Sequence, residues 1–215
     1  MKFLIFFLIS LFSYLLGSLN FGVILSKVKG EDVREKGSGN AGTTNMLRNY
    51  GKGLAALTII GDMAKVAVAI LISVFICKKL GIINEAQPYP AEMYVKCFSG
   101  LFCVIGHIFP VFFRFKGGKG VATSGGMVFM IDWRIALILL AVFIIVVAVT
   151  KYVSLGSLIM AALYPILIYI FFTDLAFAAV SLIFTAIVFI AHRENIKKLI
   201  NHNENKISFK KKETE

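Results

Sequence analysis

The chain has 215 residues, of which 58% are hydrophobic and only 16% are charged, and its mean hydropathy is +0.83. Soluble domains carry about a quarter charged residues, so an ordinary soluble globule is excluded. The net charge of +11 would suit nucleic acid, but the cations cluster between apolar runs and in the tail, as they do beside a membrane, so no nucleic-acid partner is expected.

Apolar runs of about 20 residues recur, the length that crosses a hydrocarbon layer of ~30 Å as helix. The expected fold is all-α: a polytopic membrane protein of about seven transmembrane helices. It forms one transmembrane domain over 1–204, followed by a polar, basic tail (205–215) of disordered composition.

The first span is Phe3–Leu25, interrupted by Gly17, Ser18 and Asn20. No small-residue cleavage site follows Met1–Leu16, so the run reads as a retained helix rather than a signal peptide. Between it and the second span, Leu54–Cys77, lies Gly37-Ser-Gly-Asn-Ala-Gly-Thr-Thr-Asn-Met-Leu-Arg48. Gly37, Gly39 and Gly42 let successive N–H groups converge on one point. Ser38, Thr43 and Thr44 add hydroxyls, Asn40 and Asn45 add amides, and Arg48 adds a forked cation. All of these groups donate, and no carboxylate interrupts them. The stretch therefore predicts a phosphate-binding nest, against the plainer reading of a flexible loop. Within the second span, Asp62 and Lys65 are spaced to pair on one helical face.

The third span, Ala91–Phe113, contains His107 and Pro110 near its end. His107 reads as a structural residue that orients the stretch after it, in which Lys116-Gly117-Gly118-Lys119-Gly120 stands. A P-loop is absent, because Gly120 rather than Ser or Thr follows Lys119, so ATP is not inferred. A helix starting at Val121 would offer its own free N–H groups to an anion at the same spot. The fourth segment, Val121–Asp132, has 12 residues, too few to cross a bilayer alone. Trp133–Thr150, Tyr152–Phe172 and Leu175–Ala191 complete the spans. His192-Arg-Glu-Asn195 ends the last of them, with His192 and Asn195 on one helical face. A histidine there suits a general base or a phosphate donor, and equally a helix cap. Cys77, Cys97 and Cys103 lack a metal spacing and read as packing residues. No metal and no cofactor are expected.

Parity and charge orient the chain. The segments after the first and last spans are both basic, so both belong on the cytoplasmic side, which requires an even number of crossings between them. Seven spans meet that condition and place the N-terminus outside and the C-terminus in the cytoplasm. Seventeen of the 23 Lys and Arg then lie inside and five outside. All three polar stretches would share the cytoplasmic face and together present an anionic, phosphate-bearing ligand with Ser38, Asn40, Arg48, Lys119 and His192.

These stretches resemble the bacterial acyl-phosphate-dependent glycerol-3-phosphate acyltransferases. That family carries G-S-G-N-P-G-A-T-N-V-L-R, then G-H-x-F-P…F-K-G-G-K-G-V-A-T, then H-R-E-N. All three stand here in order, at Gly37–Arg48, Gly106–Thr123 and His192–Asn195. Ala41, Thr43 and Met46 depart from the pattern. The resemblance implies an acyl phosphate donor, glycerol 3-phosphate as acceptor, and lysophosphatidate and phosphate as products. It implies neither a metal nor a direct acyl-carrier protein, and it places the enzyme in a bacterial cytoplasmic membrane, in contact with lipid. Lys119, His192 and Asn195 are the expected catalytic residues. Ser38, Gly39, Asn40, Gly42, Thr43, Thr44, Asn45, Arg48, Lys116, Gly117 and Gly118 are the expected substrate-binding residues. The proton acceptor is either His192 or a phosphate oxygen of the substrate. A transporter of a phosphorylated metabolite and a structural subunit are the competing readings. The first needs access from both sides, and the second predicts no dense donor clusters.

Overall fold

The computed structural model describes residues 2–83 and 91–207. Its elements are all helical, with no strand among the described residues. They run α1 (Lys2–Gly17), α2 (Phe21–Val28), α3 (Thr43–Lys79), α4 (Ala91–Ile108), α5 (Val121–Ile131), α6 (Trp133–Thr150), α7 (Val153–Phe172), α8 (Leu175–Ala191) and α9 (Arg193–Ile200). Among the described residues, five stretches are long and apolar enough to cross a membrane, including Lys2–Val28 and Ala91–Phe113, and α8 with α9 makes a sixth if that pair, bent by 63°, counts as one. α5 has 11 residues, about 16 Å of helix, or half the hydrocarbon thickness. The expected tail lies outside the described residues beyond Ile207. The helices fall into two compact units, Met1–Trp133 and Arg134–Glu215.

In the first unit α1 packs on α4, and α3 packs on α2, α4 and α5. Small residues permit the close crossings, as they do wherever helices meet in lipid. A Cβ on Gly17 would overlap the Cys103 backbone, and one on Gly106 would overlap the Tyr14 carbonyl. Polar side chains in this core bind one another. Ser99 lies 2.9 Å from Ser13 and accepts from Ser73 at 3.0 Å, which links α1, α3 and α4. The three cysteines are buried thiols.

α3 starts earlier than its apolar run because Gly42 caps a turn at Thr43. It is broken at Gly51, where φ is 82° and ψ is −177°, a region open essentially to glycine alone. The polar part, 43–50, is thereby set apart from the apolar part that follows. Nothing lies within 4 Å of a Cβ built there, so a substitution meets backbone strain only. Gly51→Ala is expected to destabilise the protein by about 1–3 kcal/mol, visible as a lowered Tm in detergent. An unchanged Tm would mean that the break is not required.

In the second unit α7 packs on α8. Pro165 cannot donate to the Ala161 carbonyl one turn back, and Thr185 of α8 supplies that bond from its hydroxyl at 2.7 Å. Asp174 caps α8 through the Phe177 N–H at 2.9 Å.

Candidate active site

Two of the three polar stretches meet at one end of the first unit. The chain leaves α2 through Ser26, whose hydroxyl donates to the Val23 carbonyl and accepts the Val33 N–H, both at 3.0 Å. Asp32 then caps a short 3₁₀ turn (Val33–Glu35) and pairs with Arg34 at 2.6 Å. Past that pair, one Arg34 nitrogen, Nη1, donates to the carbonyls of Phe113 and Lys116, each at 2.9 Å. The guanidinium therefore fastens the first polar stretch to the second. In the sequence Arg34 is one basic residue among several between the first two spans. Its acceptors are main-chain carbonyls some 80 positions away, which no side-chain pattern betrays.

The hydrogen bond from Arg34 is the largest influence on the Asp32 carboxyl and holds it below its usual range, while Asp32 raises the Arg34 guanidinium in turn. A depressed folded-state value means that this pairing contributes fully above the unfolded carboxylate value of about 4 and is lost as pH falls through the folded one. Tm is expected to drop below about pH 4, and less steeply in Asp32→Asn. Identical acid profiles would remove the pair from the account.

Asn45 organises the first stretch. Its oxygen accepts the Ser38 N–H at 3.0 Å, and its amide donates to the Val33 and Lys36 carbonyls at 2.9 and 3.0 Å. Both amide hydrogens are thus engaged in shaping the loop. Gly37 and Gly39 have φ of 58° and 70°, the left-handed region where glycine pays no steric penalty. The Gly39 N–H goes to the Lys36 carbonyl, so part of the expected nest is occupied by the loop itself. What faces outward is the start of α3. The Thr43 and Thr44 N–H groups precede the first intrahelical bond, from Asn45 N to the Gly42 carbonyl at 3.0 Å, and such leading N–H groups are ready donors to an anion. The Thr43 hydroxyl is buried without a hydrogen-bond partner among the described residues, as are the Thr123 hydroxyl at the start of α5 and the Asn20 amide at the start of α2. Buried donors are nearly always satisfied, so the Thr43 hydroxyl, next to the leading N–H groups of α3, favours a polar ligand there. Asn40 and Thr44 are half-buried, while Ser38 and Arg48 are exposed.

The second stretch folds back on α4. The Gly117 and Gly118 N–H groups donate to the Ile108 and His107 carbonyls, both at 3.2 Å, and so cap α4. A Cβ on either glycine would overlap His107: its carbonyl from Gly117, its Nε2 from Gly118. Lys116 is exposed, and Lys119 is half-buried between Gly118 and Gly120, directly before α5.

The third stretch belongs to the second unit. His192 joins α8 to α9 and is buried. Its Nδ1 lies 2.8 Å from the Val188 carbonyl. A carbonyl only accepts, so Nδ1 carries the proton and a neutral ring keeps its lone pair on Nε2. The Asn195 amide donates to Glu204 at 2.9 Å.

Fold and polar ends together define an all-helical integral membrane protein. Residues 7–202 match the family described as glycerol-3-phosphate acyltransferase. A curated glycerol-3-phosphate acyltransferase of Clostridioides difficile is 44% identical over 95% of this chain and 96% of its own. One from Geobacillus kaustophilus is 39% identical over 94% and 96%. The crystal structure of PlsY, an integral membrane glycerol 3-phosphate acyltransferase, in its glycerol 3-phosphate form superposes with a TM-score of 0.82 at 34% identity. That match covers 94% of this chain and 96% of PlsY. The chain belongs to the glycerol-3-phosphate acyltransferase family of membrane enzymes.

Proposed function

We propose that this enzyme transfers a fatty acyl group from an acyl phosphate to the 1-hydroxyl of sn-glycerol 3-phosphate. The hydroxyl oxygen attacks the acyl carbon, the C–O bond to phosphate breaks, the hydroxyl proton leaves, and lysophosphatidate and inorganic phosphate result. The observation that carries this reading is the donor-lined start of α3, with its orphan Thr43 hydroxyl, fastened by Arg34 to the turn that bears Lys119.

An acyl phosphate is already activated, so the enzyme's task is to hold two phosphates together and aim one hydroxyl. Two adjacent dianions repel. The Thr43–Thr44 helix start, with Ser38 and Asn40, binds one phosphate. Lys119 and Arg48 bind the other and stabilise the charge that develops on the departing phosphate. Gly39, Gly42, Asn45, Lys116, Gly117 and Gly118 shape the two stretches. His192 and Asn195 orient the glycerol, and the proton acceptor is His192 or a phosphate oxygen. The enzyme sits in a bacterial cytoplasmic membrane with its N-terminus outside and its motif stretches facing the cytoplasm. Residues 1–204 carry the activity.

The test uses purified enzyme in detergent with palmitoyl phosphate, glycerol 3-phosphate and no acyl-CoA. Phosphate release that needs both substrates, with lysophosphatidate formed, is the expected result. Folded protein that makes no product would overturn the reading and turn attention to vesicle uptake of phosphorylated metabolites.

A further inference from the structure

An ionic cluster lies behind the Gly117–Gly118 turn, and the reaction as proposed does not use it. Asp62 and Lys65 pair at 2.9 Å on α3, with side chains 1% and 2% exposed. Charges so deep persist only where an opposite charge faces them. The Lys65 ammonium donates to the Leu19 carbonyl and to His107 Nδ1 and forms an ion pair with Asp62 Oδ1, each at 2.9 Å. An ammonium only donates, so Nδ1 accepts and the His107 ring carries its proton on Nε2. Asp62 Oδ1 stands farther from the same nitrogen, at 3.4 Å, and faces the ammonium as its counter-ion. The Nε2 side of the ring backs Gly118, where no Cβ fits, while the His107 carbonyl holds the Gly118 N–H.

Lys65 therefore ties three pieces together. Through Leu19 it holds the break between α1 and α2. Just beyond that break, Gly22 of α2 abuts the Ala41 carbonyl of the first polar stretch. Lys65 stands on α3 itself, beside its counter-ion Asp62, and through His107 it holds α4 and the turn that ends in Lys119. We propose that Asp62, Lys65 and His107 form a positioning device that sets the Lys119 turn at a fixed place relative to the donor-lined first stretch, with His107 as the residue through which the device acts. The proposal rests on the acyl-transfer reading and deepens it, since none of the three need touch substrate.

A double-mutant cycle tests this. His107→Asn keeps an acceptor near the Nδ1 position for Lys65 and removes the part of the ring that backs Gly118. Lys119→Arg keeps a cation of different reach. Wild type, both single variants and the double variant are assayed for kcat and KM with palmitoyl phosphate and glycerol 3-phosphate, and each is melted in detergent. His107→Asn is expected to lower kcat/KM about 10-fold with Tm held within a few degrees, and to cost less than about 2-fold in the Lys119→Arg background, because residues acting as a unit are not additive. Wild-type rates in His107→Asn, or full multiplication of the two losses in the double variant, would overturn the proposal. Should His107→Asn fail to fold, Asp62→Asn with Lys65→Met takes its place in the same cycle, read by the same two outcomes. If wild type makes no product, the acyl-transfer reading falls by itself. The cycle is then read from the affinity of glycerol 3-phosphate measured by titration calorimetry on the same four proteins.

Discussion

Lys119→Ala is expected to lower kcat by about 10²–10³-fold, the usual loss when one preorganised donor to developing charge is removed, while Tm stays within a few degrees of wild type. The stability half of this expectation follows from the neighbours. The turn is held by the Gly117 and Gly118 N–H groups on the α4 carbonyls, and those bonds do not involve the Lys119 side chain. The rate half follows from charge. In the proposed reaction the departing phosphate gains negative charge as the acyl bond breaks, so a cation placed there would stabilise the transition state more than the ground state, and kcat rather than KM should fall. Arg48 stands one turn into α3, exposed, and Arg48→Ala is expected to lose activity as well, with a larger share in KM because solvent screens it more. Steady-state assays with palmitoyl phosphate, paired with melts of each variant, check both. Full activity in either variant would remove that residue from the site.

Spans were the most legible part of this chain, because a hydrocarbon layer demands apolar runs of fixed length whatever the partners. Ala91–Phe113 appears with the bounds that its hydropathy suggests, and α6, α7 and α8 begin and end within a residue of theirs. Breaks were harder to read. Thr43–Arg48 looks like loop because it is polar, yet Gly42 caps it and it forms the first turns of α3. The glycine that separates it from the apolar part, Gly51, does so by a backbone conformation that has no mark in hydropathy. At the candidate site, the hydrogen bonds that shape the loops have no mark in the spacing of residue types. Asn45 was expected to meet substrate, and both its amide hydrogens hold main-chain carbonyls of its own loop. The Asp62–Lys65 pair was legible from helical spacing. Its third member, His107, lies 42 positions further on, and only the packing of α4 on α3 brings it there. Local periodicity reveals which faces are polar. Which carbonyl a side chain will reach across the fold is settled by tertiary contact.

Arg34 is where that difference should be most costly. Its guanidinium binds Asp32 and two carbonyls of the second stretch at once, and its side chain is only 22% exposed. Removing it leaves the Phe113 and Lys116 carbonyls without this donor and frees the two stretches to drift apart, though Asp32 can recover some hydration. Each unmet partner of a charged donor costs about 1–3 kcal/mol, so Arg34→Ala is expected to lower kcat/KM about 10²-fold and to depress Tm by several degrees. Arg34→Lys is the sharper probe. A lysine keeps the charge and can still pair with Asp32, but a single ammonium on a flexible stem does not reproduce the rigid fork that meets carboxylate and carbonyls together. If fastening the two stretches is what matters, Arg34→Lys should recover most of the lost Tm and little of the lost kcat/KM, because stability needs the charge paired while catalysis needs Lys119 held near α3. Recovery of both together would mean that Arg34 serves only as a counter-ion, and that the second stretch keeps its place by capping α4 alone.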